Sequence, residues 1–210
     1  MRQAGVCRSS KRLGVEILMP SLSDVDLIFA DLQDALTELE AARSSPKQVR
    51  RTFSRFVELT QRLTSAMRRE AKSKTGTDWQ ASQFSGWNKI TALFKDLRNE
   101  EQHERQIYIS VHETRYYEIF GTEGGRVAFS GTWQLTDQLS ERPPDGLRLF
   151  DSDPETGEMT KTELLHCDIS YSYLIQPRED KLAARLRTIG SADLHELSRR
   201  CMITLHDHVA

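Results

Sequence analysis

The run Phe94-Lys-Asp-Leu-Arg-Asn-Glu-Glu-Gln-His103 carries the residue types best suited to chemistry. A guanidinium such as Arg98 can grip a phosphate through two parallel hydrogen bonds and offset charge that grows in a transition state. The imidazole of His103 titrates near neutrality and can move the proton of a 2′-hydroxyl or of a leaving group. Asn99 stands four residues before His103, so on a helix the two share one side and Asn99 can fix the ring orientation. Together they suit cleavage of RNA without metal. Arg98 and His103 lie about 140° apart around a straight helix. They converge only where the helix ends or bends, or where two chains meet along this face. The looser pattern of Arg followed by His recurs at Arg105–His112, Arg199–His206 and Arg200–His206. Arg98 differs in having Asn99 beside it and in closing a strongly apolar segment. The competing reading is a solvated helix end whose basic residue and His favour the C-terminal dipole.

A second pattern is cationic. Arg51, Arg55, Arg62 and Arg69 flank an apolar stripe at spacings of four and seven. Such a column can track RNA phosphates, or form a solvated flank paired with Glu58 and Glu70. Other groupings carry less. His166-Cys-Asp168 and His206-Asp-His208 hold metal-ligand types, but no second pair stands at zinc spacing. Asp151-Ser-Asp153-Pro-Glu155 reads as a turn, because a calcium loop would place Thr156 and Thr162 where glycine and glutamate belong. Gly121–Gly125 lacks the strand–loop–helix context of a phosphate cradle. No metal and no cofactor is expected.

The elements that must position these residues follow from periodicity. Ser23 can cap a helix with Val25, Ile28, Phe29, Leu32, Leu36 and Leu39 on one face. Ser44-Ser-Pro46 ends it and opens the next, with Pro46 in the tolerated first turn. That second helix carries Val49, Phe53, Phe56, Leu59, Leu63 and Met67, and 72–77 reads as a loop. A third carries Phe84, Trp87, Ile90, Phe94 and Leu97, with Gly86 a weak point. Beyond residue 105 the period changes to two. Ile107, Ile109, Val111, Tyr117 and Ile119 alternate with polar positions, the glycines of 121–125 permit a reversal, and Val127, Phe129, Trp133 and Leu135 return. Pro143–Gly146 turns, Leu147 and Leu149 make a short strand, and Leu165, Cys167, Ile169, Tyr171, Tyr173 and Ile175 another. One small antiparallel sheet of four or so strands is expected. A short helix from Arg178 stops at Gly190. Ser191 caps a last helix carrying Leu194, Leu197, Cys201, Leu205 and Val209.

The predicted fold class is therefore α+β: a helical bundle over 22–105 plus 178–210, with an antiparallel β insert over 106–177 placed before the last helices. Residues 1–21 read as a flexible N-terminal tail, with Met19-Pro20 a candidate start and 1–18 a translated leader or tail.

Composition bounds the function. Of 210 residues 38% are hydrophobic and 29% charged, which suits a packed domain and excludes wholesale disorder. The net charge of −2 argues against a generalised nucleic-acid coat. No apolar run approaches a spanning helix, so no membrane role is expected. Three scattered cysteines, Cys7, Cys167 and Cys201, argue for reduced thiols in a cytoplasmic protein and against a disulfide framework or zinc ribbon.

Arg98-Asn-Glu-Glu-Gln-His103 resembles the R-N-x-x-x-H motif of the HEPN superfamily. The aromatic helix from Phe53 to Met67, the segment with Trp79 and Trp87, and the helix ending Phe94-Lys-Asp-Leu-Arg-Asn are similar to its members over about 45–105, and 178–210 more weakly. The β insert lies outside the likeness. The resemblance implies a dimeric helical bundle acting as a metal-independent RNA nuclease of toxin–antitoxin, phage-defence or RNA-processing systems. It implies Arg98 as the phosphate-handling residue, His103 as the proton-transfer residue and Asn99 as the polar residue beside Arg98. In that family the paired motifs meet at a homodimer interface, and the resemblance implies the same here, which would ease the 98–103 geometry. Two functions follow as expectations: an endoribonuclease leaving a 2′,3′-cyclic phosphate, or a non-catalytic dimeric interaction module whose β insert takes an antitoxin or other protein partner.

Overall fold

Ser23 starts the first helix, α1 (Asp24–Ala41), through a reciprocal cap: Asp26 N donates to Ser23 Oγ at 3.2 Å, and Ser23 N donates to Asp26 Oδ2 at 3.0 Å. The Ser23 hydroxyl also donates to that carboxylate and holds it below its ordinary pKa. A short 3-10 turn, η1 (Ala42–Ser44), leads to α2 (Pro46–Thr75), which opens on Pro46 and ends at Gly76 with φ 72°. Helix α2 folds back along α1: Arg55 meets Glu38 near one end, and Lys74 acts on Asp26 near the other. The computed structural model describes residues 23–78, 89–102, 107–119, 126–135, 149–152, 155–157, 159–162 and 164–209.

Helix α3 (Lys89–Gln102) buries Ile90, Leu93, Phe94 and Leu97. Phe94 meets Phe56 and Phe53 edge-on, with ring centroids at 5.6 and 6.3 Å. Three strands follow the change of period: β1 (Ile109–Ile119), β2 (Arg126–Leu135) and, later, β5 (Leu164–Ile175). They form an antiparallel sheet in the order β2-β1-β5. The single larger sheet expected from alternation is not what forms. Strand β1 has one edge taken by β2 and the other by β5, and the four-residue strands β3 (Leu149–Ser152) and β4 (Met159–Thr162) pair with each other. The register also shifts at Tyr116/Tyr117: Tyr116 faces Asp168, whereas Tyr117 faces His166. Residue 167 is therefore the extra one of a bulge, and the strict alternation expected through 165–175 breaks there.

The sheet begins and ends at one place. Gln176 N donates to Tyr108 O at 2.8 Å, and the Arg178 guanidinium stacks 3.4 Å from the Tyr108 ring centroid. Helix α4 (Asp180–Ile189) stops at Gly190, whose φ of 79° is the left-handed value that favours glycine. Helix α5 (Leu194–Val209) is capped by Asp193, not by Ser191: Glu196 N donates to Asp193 Oδ1 at 2.7 Å. Ser191 stands outside the cap, donating to Glu196 at 2.6 Å and accepting from Asp193 N. Ile109, Val111, Trp133, Leu135, Tyr173 and Ile175 from the sheet share one core with the helices. Arg50 adds a polar tie, donating to Leu135 O at 3.1 Å.

Residues 1–22 include the expected tail. They, the segment with Trp79, Phe84, Gly86 and Trp87, the 121–125 reversal, and Pro143–Leu147 lie outside the described residues. No described helix is long and apolar enough to cross a membrane.

Candidate functional site

Helix α2 runs for about 45 Å, so its cationic column spans several environments. Arg51 is exposed. Arg55 is closed onto Glu38, with Nη1 at 2.9 and 2.7 Å from the two carboxylate oxygens. Glu58 and Glu70, expected to neutralise this flank, do otherwise: Glu70 binds Lys74 at 2.5 Å, and among the described residues Glu58 has no such contact. Arg62 and Arg69 turn into an open groove of about 480 Å³ between α1, α2 and α3. Arg98 reaches the same groove from α3. The structure thus brings together three of the residues singled out from sequence, 62, 69 and 98, on two different helices.

The way the helices pack explains why. Leu97 is fully buried against the core, so the next residue on α3 emerges at the edge of the packed face, and Arg98 is half-buried there. On α2, Leu59, Leu63 and Ala66 are buried, which leaves Arg62 and Arg69 at the margin of the same stripe. The α1 wall carries Asp24, Leu27, Ile28 and Asp31, spaced as one helical face. Leu27 stands 51% exposed, an apolar side chain left open beside charged ones.

The electrostatics are those of a balanced, unsatisfied set. Asp24, Asp31 and Glu58 face the groove with Arg62, Arg69 and Arg98, and among the described residues none of the six makes a hydrogen bond or ion pair. Helical geometry alone does not explain this. Glu70–Lys74 and Glu196–Arg200 have the same four-residue spacing and close, at 2.5 and 3.3 Å, whereas Glu58 and Arg62 stay apart. Of the two acids that stand two residues from Arg98, Asp96 and Glu100, the first is held on α4. Asp96 is bound by Arg185 at 2.5 Å and Lys181 at 3.1 Å on α4.

Asn99 is exposed on the same turn, and α3 continues to Gln102. His103 is the next residue and lies outside the described residues, as do the side chains of His166 and Cys167. Among the described residues no three His, Cys, Asp or Glu side chains gather as a metal ion would require. Cys201 is buried, and burial pushes its thiol pKa far up, so it packs as an apolar residue.

Sequence reading missed two buried polar groups. Glu113 and Arg115 occupy inward positions of β1, where alternation would place apolar residues. They pair with each other, and Trp133 Nε1 donates to Glu113 at 3.0 Å. The signal was present as two charged residues in phase with Val111 and Tyr117. His195 is the other. It is buried one residue after Leu194, and its column continues through Ser198 and Met202, three and seven residues on, both buried.

No family model, curated protein or solved structure matches this chain.

Proposed function

We propose that the protein is a HEPN-like, metal-independent RNA endonuclease that works as a homodimer, leaving a 2′,3′-cyclic phosphate. The observation that carries this reading is the convergence of Arg62, Arg69 and Arg98 on one open groove with no internal ion pair. An unpaired guanidinium keeps its donors for an incoming phosphate and need not first break a salt bridge. Arg98 grips the scissile phosphate and His103 transfers the proton, while Asn99 steadies the imidazole. Arg62 and Arg69 hold the strand on either side. The roughly 140° between Arg98 and His103 is resolved when the motif of a second copy completes the site. The test is cleavage of single-stranded RNA by purified protein in the presence of EDTA, with light scattering to establish the dimer.

A second reading has its own support. The groove carries three carboxylates against three guanidiniums, with Leu27 exposed among them, a self-complementary surface suited to another copy of the chain. On that reading the protein is a non-catalytic dimeric module, and residues 98–103 form a polar network that fixes the interface.

A further inference from the structure

His195 sits where the bundle meets the sheet, and the proposed chemistry does not use it. It is only 3% exposed, and among the described residues neither Nδ1 nor Nε2 has a hydrogen-bond partner. Buried polar atoms in folded proteins are nearly always paired, so a ring with both nitrogens idle calls for a physical account. The imidazole packs edge-to-face on Tyr173 of β5, with centroids 5.7 Å apart and planes at 72°. The Tyr173 hydroxyl crosses to η1 and donates to Arg43 O at 2.8 Å. Ile175 N donates to Ala192 O at 2.9 Å, joining β5 to the segment that leads into α5. The ring is thus wedged among three elements whose contacts dock the sheet.

The charged groups facing it are mixed. Arg43 of η1 and Arg199 of α5 oppose a positive ring, while Glu40 of α1 and Asp193 ahead of α5 favour one. Burial is the largest influence and holds the pKa below the ordinary imidazole value. Tyr173 stays neutral, its pKa pushed far up by burial. Glu40 already answers two arginines. Its Oε2 is held by Arg43 at 2.5 Å, and its buried Oε1 has Arg199 Nε at 3.5 Å without a hydrogen bond.

We propose that His195 is an acid-responsive latch between sheet and bundle. Neutral, it fills the η1–β5–α5 junction as an apolar wedge. Protonated, it puts a charge into a buried junction where Arg43 and Arg199 oppose it and Glu40 Oε1 is the idle carboxylate oxygen, and β5 undocks from η1 with loss of the Tyr173–Arg43 bond. The sign follows from linkage. The closed form binds the proton less tightly than the open form. The latch therefore holds fully above the ordinary imidazole pKa of about 6.5 and weakens as pH falls below it. One pH unit below that value, opening is favoured by up to about tenfold.

The test is amide hydrogen exchange at Ile175 in the full chain, at pH 7.5 and 5.5, corrected for intrinsic rates. Wild type should lose up to about tenfold in protection on acidification. His195→Phe keeps the ring packing without a titrating group and should show no such loss. His206→Gln, an exposed histidine, should behave as wild type. Should His195→Phe fail to fold, NMR of the wild-type ring decides. A His195 ring that in the closed form protonates only below the ordinary imidazole pKa, with Ile175 protection falling as it does so, supports the latch. Ordinary titration of His195 with Ile175 protection unchanged overturns it, as does wild-type protection that is flat with pH.

Discussion

The Asp96 carboxylate is bound by the Arg185 guanidinium at 2.5 Å across the contact between α3 and α4. This bond turns Asp96 toward α4, whereas Arg98, about 200° further round α3, faces the groove. A carboxylate turned onto Arg98 would neutralise it and make any phosphate contact an exchange of partners. Asp96 is committed to Arg185 and Lys181, and among the described residues Arg98 makes no ion pair in the groove.

Removal of the groove arginines should weaken RNA binding in a graded way. Arg98→Ala, Arg62→Ala and Arg69→Ala should each lower affinity across sequences and reduce the salt slope by about 1, as loss of one phosphate contact does. Arg55→Ala should do less, because Arg55 already pairs with Glu38 through Nη1. Fluorescence anisotropy with a labelled single strand at several salt concentrations measures this. Equal effects at 55 and 62 would contradict it.

Glu58→Gln separates the two functional readings. A carboxylate beside a phosphate track repels it, so on the nuclease reading the neutral variant should bind RNA more tightly. On the interaction-module reading the same change removes half of a cross-copy ion pair and should weaken self-association. Paired measurements of RNA affinity and sedimentation on one preparation give the answer.

The buried pair in β1 should matter greatly to stability. Arg115→Met leaves Glu113 as a buried charge with Trp133 as its remaining named donor. Breaking a buried pair from one side costs about 3–5 kcal/mol. Urea unfolding should show that loss, and a change below about 1 kcal/mol would mean that water reaches the site.

The last helix offers a smaller test. Asp193→Ala removes the N-cap of α5 and should cost about 1 kcal/mol, seen as a lower urea midpoint. Ser191→Ala should cost less, since Ser191 lies outside the cap.

Much of the fold was legible because burial leaves a periodic trace. The stripes through Leu32, Phe53, Phe56, Phe94 and Leu197 are the core, and Pro46 and Gly190 punctuate where backbone chemistry requires. What periodicity could not show is pairing. Nothing in residues 149–162 tells that two short strands will pair with each other when both edges of β1 are taken. Nor does local spacing reveal that residue 167 is extra in its ladder. At the site, the type and spacing of Arg98, Arg62 and Arg69 were visible, but their meeting depends on how α3 packs against α2. Arg55 looked equivalent to Arg62 in sequence, and only the fold-back of α2 along α1 gives it Glu38. His195 was illegible for a different reason. A histidine beside an apolar stripe looks like a surface residue until a second element, here Tyr173, covers it.

The most direct measurement is cleavage of single-stranded RNA by wild type and by His103→Ala, side by side in EDTA. Wild type should cut, leaving a 2′,3′-cyclic phosphate. The variant should lose about 10²–10⁴-fold of that rate, the usual contribution of a general acid or base, while keeping its circular dichroism. His112→Ala and His206→Ala should cut as wild type does. Intact RNA after incubation with wild type, or a His103→Ala variant that cleaves at the wild-type rate, would contradict the catalytic account.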